Sequence, residues 1–192
     1  MLTITTFFLQ AAVAGVFLSS GLSKVRGEDH QETWTVLAAR LRLRGFPVRA
    51  ASHTHIAVEI AIGAALLAGA WPRIPALAAA TLLLASFTLL ALYSARSDDG
   101  IPCSCFGTSR SALGWPHVWR NLVLTCLAGA GLVCAATVGA VLPASLAEAA
   151  LAVAGALVVT AVTYFFDDLV DLFRPLGRPS PGTFRGVRDL GE

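Results

Sequence analysis

Charge is scarce in this sequence. Only 14% of its 192 residues are Asp, Glu, Lys or Arg, whereas a soluble domain carries about 25%. Hydrophobic residues make up 56%, and the mean hydropathy is +0.70. Lipid, not water, is therefore the main solvent. The chain is too short to hold a large soluble domain beside its apolar segments. Other absences narrow the function. No Gly-x-Gly-x-x-Gly fingerprint is present, so no bound nicotinamide cofactor is indicated. The net charge of +2 gives no reason to expect a nucleic-acid partner. No basic residue precedes the first apolar run. A signal peptide would need one, so that run reads as an uncleaved helix.

What remains is long apolar sequence. Five stretches, 2–22, 53–70, 74–93, 119–142 and 146–166, stand out. A spanning helix needs about 20 such residues, and lipid forces backbone polar groups to be satisfied internally, which means helices. The expected fold is an all-α integral membrane protein, a bundle of about five transmembrane helices, with four as the alternative. Residues 1–173 form the membrane domain, and 174–192, with three prolines and four glycines, a flexible tail. Trp71, Pro72 and Pro75 predict a tight interfacial hairpin. Small residues such as Gly15, Ser19, Gly63 and Gly69 permit close helix approach. Within 24–52, Trp34, Leu37, Ala38 and Leu41 recur at helical spacing, with Arg40 and Arg44 on another face. That pattern predicts an interfacial amphipathic helix ended by Gly45 and Pro47.

If all five stretches cross, the loops 24–52 and 94–118 and the tail share one face. Thirteen of the 14 Lys and Arg residues then lie there, and Arg73 alone lies opposite. The positive-inside rule assigns that face to the cytoplasm and the N-terminus to the outside.

The loop 94–118 carries Cys103-Ser104-Cys105-Phe106-Gly107, beside Asp98 and Asp99. Two thiols one residue apart close only a strained ring, and strain makes a disulfide easier to reduce. The pair suits exchange better than stabilisation, while two free loop cysteines are the plainer reading. Reactivity requires a thiolate, which Arg110 and Arg120 could favour. Cys126 and Cys134 lie about 12 Å apart along one helix and cannot bond to each other. They are small core residues or, on the sharper reading, steps of a thiol relay.

Glu59 is an acid well inside a spanning segment, costly there unless paired or protonated. His55 lies one turn earlier on the same face. Lys24 ends the first helix, and Arg120-Asn121 begins the fourth. These residues should converge at one membrane level, with Glu59 paired to Lys24 or to Arg120. Such a pair is either a lock between helices or part of the chemistry. His53 and His117 read as interfacial residues, and Asp167, Asp168 and Asp171 as counter-charges to neighbouring arginines.

Several of these segments carry a resemblance. Gly21-Leu22-Ser23-Lys24, Glu59 followed by Gly63, Cys103-Ser104-Cys105-Phe106-Gly107 and Arg120-Asn121-Leu122-Val123-Leu124 are similar to motifs of the MauE family, a relative of the DoxX-type membrane proteins. The match runs over roughly 5–135. Cys126 and Cys134 are not among its motif positions. The resemblance implies a multi-pass protein of the bacterial plasma membrane that assists maturation of disulfide-containing partners, often beside a thioredoxin-like protein. It also suggests redox chemistry similar in purpose to quinone-coupled disulfide enzymes.

Three functions compete. The leading one is a thiol–disulfide oxidoreductase. Here Cys103 and Cys105 exchange with a thioredoxin-like partner or a quinone, and Lys24, Glu59 and Arg120 tune a thiolate or move a proton. His55, Asn121, Phe106 and Gly107 support them, with no covalently bound cofactor and no metal expected. The second is a soft-metal transporter for Hg, Cu or Zn, weakened by the lack of a Cys or His cluster at the far face. The third is a non-catalytic assembly factor. Disulfide formation belongs outside the cytoplasm, yet the charge pattern puts the loop inside. The direction of electron flow and the oligomeric state are left open by the sequence.

Overall fold

A computed structural model describes residues 2–25, 29–40, 42–68, 73–97, 114–138 and 145–173. The regular elements among them are helices: α1 (Leu2–Val25), α2 (Asp29–Arg40), α3 (Val48–Leu67), α4 (Arg73–Ser97), α5 (Trp115–Val138), α6 (Leu146–Tyr164) and α7 (Phe166–Leu172). Five of these, α1, α3, α4, α5 and α6, are long and apolar enough to cross a membrane.

The predicted segments are present, but several begin earlier than their apolar runs. α3 starts at Val48 and α5 at Trp115. Pro116 falls in the first turn of α5 and Pro75 in that of α4, where the missing N–H costs no helical bond. α2 ends at Arg40, ahead of the expected breakers. The chain then turns through Arg42 and Gly45, both at positive φ. Leu41, residues 69–72 with Trp71 and Pro72 of the expected hairpin, residues 98–113 of the Cys loop and the tail 174–192 lie outside the described residues.

α1 is the hub of the bundle and packs on α3, α5 and α6. α4 packs closely on α5, and α2 lies against α3. The shared core is apolar: Val13 and Phe17 of α1, Ile62 and Leu66 of α3, Leu77 and Leu84 of α4, and Leu124 and Ala128 of α5. The outer surface is apolar too. Leu82, Leu89, Val133, Leu151 and Leu157 are all exposed, the distribution of a protein facing lipid on its flanks.

Hydroxyls within the spans bond back to their own helices. Thr81 donates to Leu77 O at 2.7 Å, Thr88 to Leu84 O at 2.8 Å and Thr163 to Val159 O at 2.7 Å. The Gln10 amide donates to the Leu66 carbonyl across α1 and α3. These hydroxyls and this amide are thus matched without water.

Two glycines set how closely α1 and α3 approach. A Cβ on Gly63 would come 2.6 Å from Leu18 Cγ and 3.2 Å from the Ala14 carbonyl oxygen. A Cβ on Gly21 would come 2.7 Å from Ile60 Cγ1. Only hydrogen fits at either site, and the contact draws the second half of α1 onto the middle of α3.

Candidate functional site

That approach brings Ser20 and Lys24 of α1 against Glu59 of α3. Glu59 is 2% exposed and Lys24 6%. The Lys24 ammonium donates to both Glu59 oxygens, at 2.6 and 2.7 Å. Ser20 Oγ lies 3.3 Å from each oxygen, and His55 Nε2 lies 3.1 Å from Oε1. Of the two partners the sequence left open for Glu59, Lys24 is the one in contact. A buried carboxylate held this way has its charge neutralised and most of its acceptor capacity filled.

Aromatic rings cover the site. His55 stacks on Phe87 of α4 with centroids 5.2 Å apart, and Lys24 Nζ lies 5.8 Å from the same ring. The edge of His55 meets Trp34 of α2 at 5.8 Å, and Trp34 stacks on Phe46 at 6.0 Å. The tryptophan of the amphipathic helix thus backs the histidine that touches Glu59.

Arg120 forms a second cluster with His117 and Asp167. Helix α6 stops at Tyr164, Phe165 breaks it, and α7 turns Asp167 inward. Asp167, 6% exposed, lies 3.4 Å from Arg120 Nη1 and 3.1 Å from His117 Nε2. The histidine contact is close but out of line for a hydrogen bond. The Gly114 N–H donates to His117 Nδ1 at 3.3 Å, which leaves the other ring nitrogen to carry the proton. Arg120 also lies over the Phe166 ring at 5.6 Å and donates from Nε to Asn121 Oδ1 at 3.4 Å. His117, 2% exposed, is thus a buried residue and not an interfacial one. His53 is exposed, as an interfacial residue would be.

Asn121 connects the two clusters in space. It bonds to Arg120 on one side and on the other lines a small cavity with Ser20, Lys24 and Glu59. The predicted convergence of Lys24, His55, Glu59, Arg120 and Asn121 at one end of the bundle is therefore observed, although in two linked groups. Cys126 is exposed and Cys134 half-buried, both as free thiols. Cys126 follows the buried Leu124 by two positions, which turns it about 200° away from the cavity side. Cys103, Cys105, Phe106 and Gly107 lie outside the described residues. Ser97 and Gly114, on either side of that segment, end α4 and precede α5 beside His117. Ser20, Trp34, Phe87, His117 and Asp167 were missed as site residues. For Asp167 a signal existed, an acid directly following an apolar run.

A five-span helical bundle with two buried ionic clusters toward one end defines a class of membrane protein. Within it, the family described as methylamine utilisation protein MauE matches residues 2–136. The chain belongs to the MauE family. No curated protein matches it, and no solved structure does either.

Proposed function

We propose that this protein is a membrane thiol–disulfide oxidoreductase whose working thiols are Cys103 and Cys105. One observation carries the reading. The buried ionic clusters lie at the end of the bundle where α4 ends and α5 begins, the two helices that the Cys loop joins. Arg73, also buried, stands at the opposite end of α4 and has no such relation to the loop.

The chemistry is a balanced exchange. A thiolate of the pair attacks a partner disulfide and expels one partner thiolate, giving a mixed disulfide. The second thiolate then closes the Cys103–Cys105 bond and releases the partner as a dithiol. Two electrons pass to the partner, and the loop pair is left oxidised. Run in reverse, the exchange leaves the loop pair reduced, and a quinone taking two electrons and two protons restores its disulfide. A thioredoxin-like protein is the proposed partner. Arg120 would favour the thiolate form electrostatically, and the Lys24–Glu59–His55 group would hold or move a proton. The bacterial plasma membrane is the proposed location, with the loop on the cytoplasmic side by the positive-inside rule.

An alkylation-shift assay on membranes tests this. Cys103 and Cys105 should shift together between reduced and oxidised forms as a thiol–disulfide buffer is varied. Parent-level maturation of partner proteins by a Cys103→Ser/Cys105→Ser variant would overturn the reading and favour an assembly factor. An impermeant thiol reagent applied to intact cells decides sidedness. Protection fits a cytoplasmic loop, and labelling would invert the topology.

A further inference from the structure

Asn121 carries a buried amide that takes no part in the thiol exchange. It is 4% exposed, and its Oδ1 accepts from Arg120. Its Nδ2 has no hydrogen-bond partner among the described residues. Native proteins seldom bury an amide donor without an acceptor, and ordered water is a common resolution. The side chain lines a cavity shared with Ser20, Lys24 and Glu59 and walled by Phe87 and Leu124.

The size is informative. The cavity leaves about 20 Å³ for the centre of a water molecule. A site needs at least about 10–15 Å³ to hold a water, so there is room for one. Its chemistry is also informative, since purely apolar cavities stay dry whereas a water needs 2–4 polar partners. A carboxylate offers about four acceptor sites. Oε1 meets Lys24 and His55, whereas Oε2 takes Lys24 and only a long 3.3 Å contact from Ser20, which leaves Oε2 the more open of the two.

We propose that this cavity is a binding site for a single water molecule, held between Asn121 Nδ2 and the Glu59 carboxylate. The water accepts from the amide and donates to the carboxylate, with the Ser20 hydroxyl beside it. The consequence reaches beyond one ordered solvent. Glu59, the water, Asn121, Arg120, Asp167 and His117 become one continuous polar chain from α3 through α5 to α7. The two ionic clusters are then a single unit, and a change of charge at either is felt by the other. This inference stands on the cavity and the amide alone and does not depend on the redox reading.

The test is a structure of the full-length protein in lipid nanodiscs at a resolution that shows ordered water. One solvent peak within hydrogen-bond distance of Asn121 Nδ2 and a Glu59 oxygen is expected. An empty cavity, a larger molecule there, or Asn121 turned to a protein acceptor would overturn the proposal. Infrared spectroscopy gives a second reading. The Glu59 carboxylate band, assigned by its loss in Glu59→Gln, should shift in Asn121→Leu, which removes the donor and fills the space. It should stay near its parent position in Asn121→Ser, which keeps both a donor and the room. An unchanged band in Asn121→Leu would equally overturn the proposal. Should Asn121→Leu fail to fold, the parent structure still decides.

Discussion

Lys24→Met removes the ammonium that stands 2.6 and 2.7 Å from the two Glu59 oxygens while keeping most of the side-chain volume. Glu59 is 2% exposed, so bulk water does not replace the lost partner. Breaking a buried ion pair from one side costs about 3–5 kcal/mol. His55 at 3.1 Å and Ser20 at 3.3 Å still contact the carboxylate, and protonation of Glu59 offers relief. The lower end, about 3 kcal/mol, is therefore the expected loss. That corresponds to about two orders of magnitude in the folding equilibrium. Glu59→Met alone strands the ammonium and should cost about as much. The double variant Lys24→Met/Glu59→Met strands nothing. It should fall within about 1 kcal/mol of the parent, because well-packed apolar replacements of a buried pair are often neutral or better. The measurement is reversible unfolding in mixed micelles with increasing dodecyl sulfate, followed by circular dichroism, for all four corners of the cycle. If Lys24→Met costs under about 1 kcal/mol, or if the double variant is no more stable than the singles, the pair is not a buried, coupled unit and the reasoning fails. A stable double variant also separates structure from chemistry. Parent-level thiol exchange in that background would reduce Lys24 and Glu59 to a lock between helices.

Three further outcomes follow from the same geometry. Gly63→Ala should destabilise by about 1–3 kcal/mol through overpacking, whereas Gly129→Ala, whose Cβ would meet only Thr81 Cγ2 at 3.9 Å, should be neutral or slightly stabilising; the unfolding titration compares them. Asp167→Asn leaves Arg120 and His117 buried without their carboxylate and should cost about 3 kcal/mol or more in that assay. Trp34→Ala should lose about 0.5–1.5 kcal/mol of ring pairing and leave the fold intact. It should also speed modification of His55 by diethylpyrocarbonate, read by peptide mass spectrometry, and an unchanged rate would show that Trp34 does not cover that ring.

The spans were legible because lipid tolerates so few alternatives to long apolar helices. The Glu59 contact was half legible. An acid in a span needs a partner, and only nearby helix ends offered cations. What chose Lys24 over Arg120 was the Gly21 and Gly63 approach, a packing detail that small residues permit but do not dictate. His117 was misjudged because Trp115 and Pro116 add a turn ahead of the apolar run of α5, which carries the histidine inside. Asp167 was read as a loop counter-charge because nothing local says that Phe165 will break α6 and turn the next residues inward. The helix breaks there for tertiary reasons. The small cavity beside Asn121 has no sequence signature at all, since it is a shape left between four helices.

The family match ends at residue 136, so α6 and α7 lie beyond it. Yet Asp167, which sits in α7, holds the buried Arg120 and His117 of the matched segment. The shared portion of the chain thus borrows its counter-ion from the portion that follows. In modular terms the boundary is not a seam. The first four spans are electrostatically in debt without the fifth, whose packing on α1 delivers the carboxylate. A related chain with a different ending must settle that charge in some other way, by another acid in the same place or by a different residue at the position of Arg120.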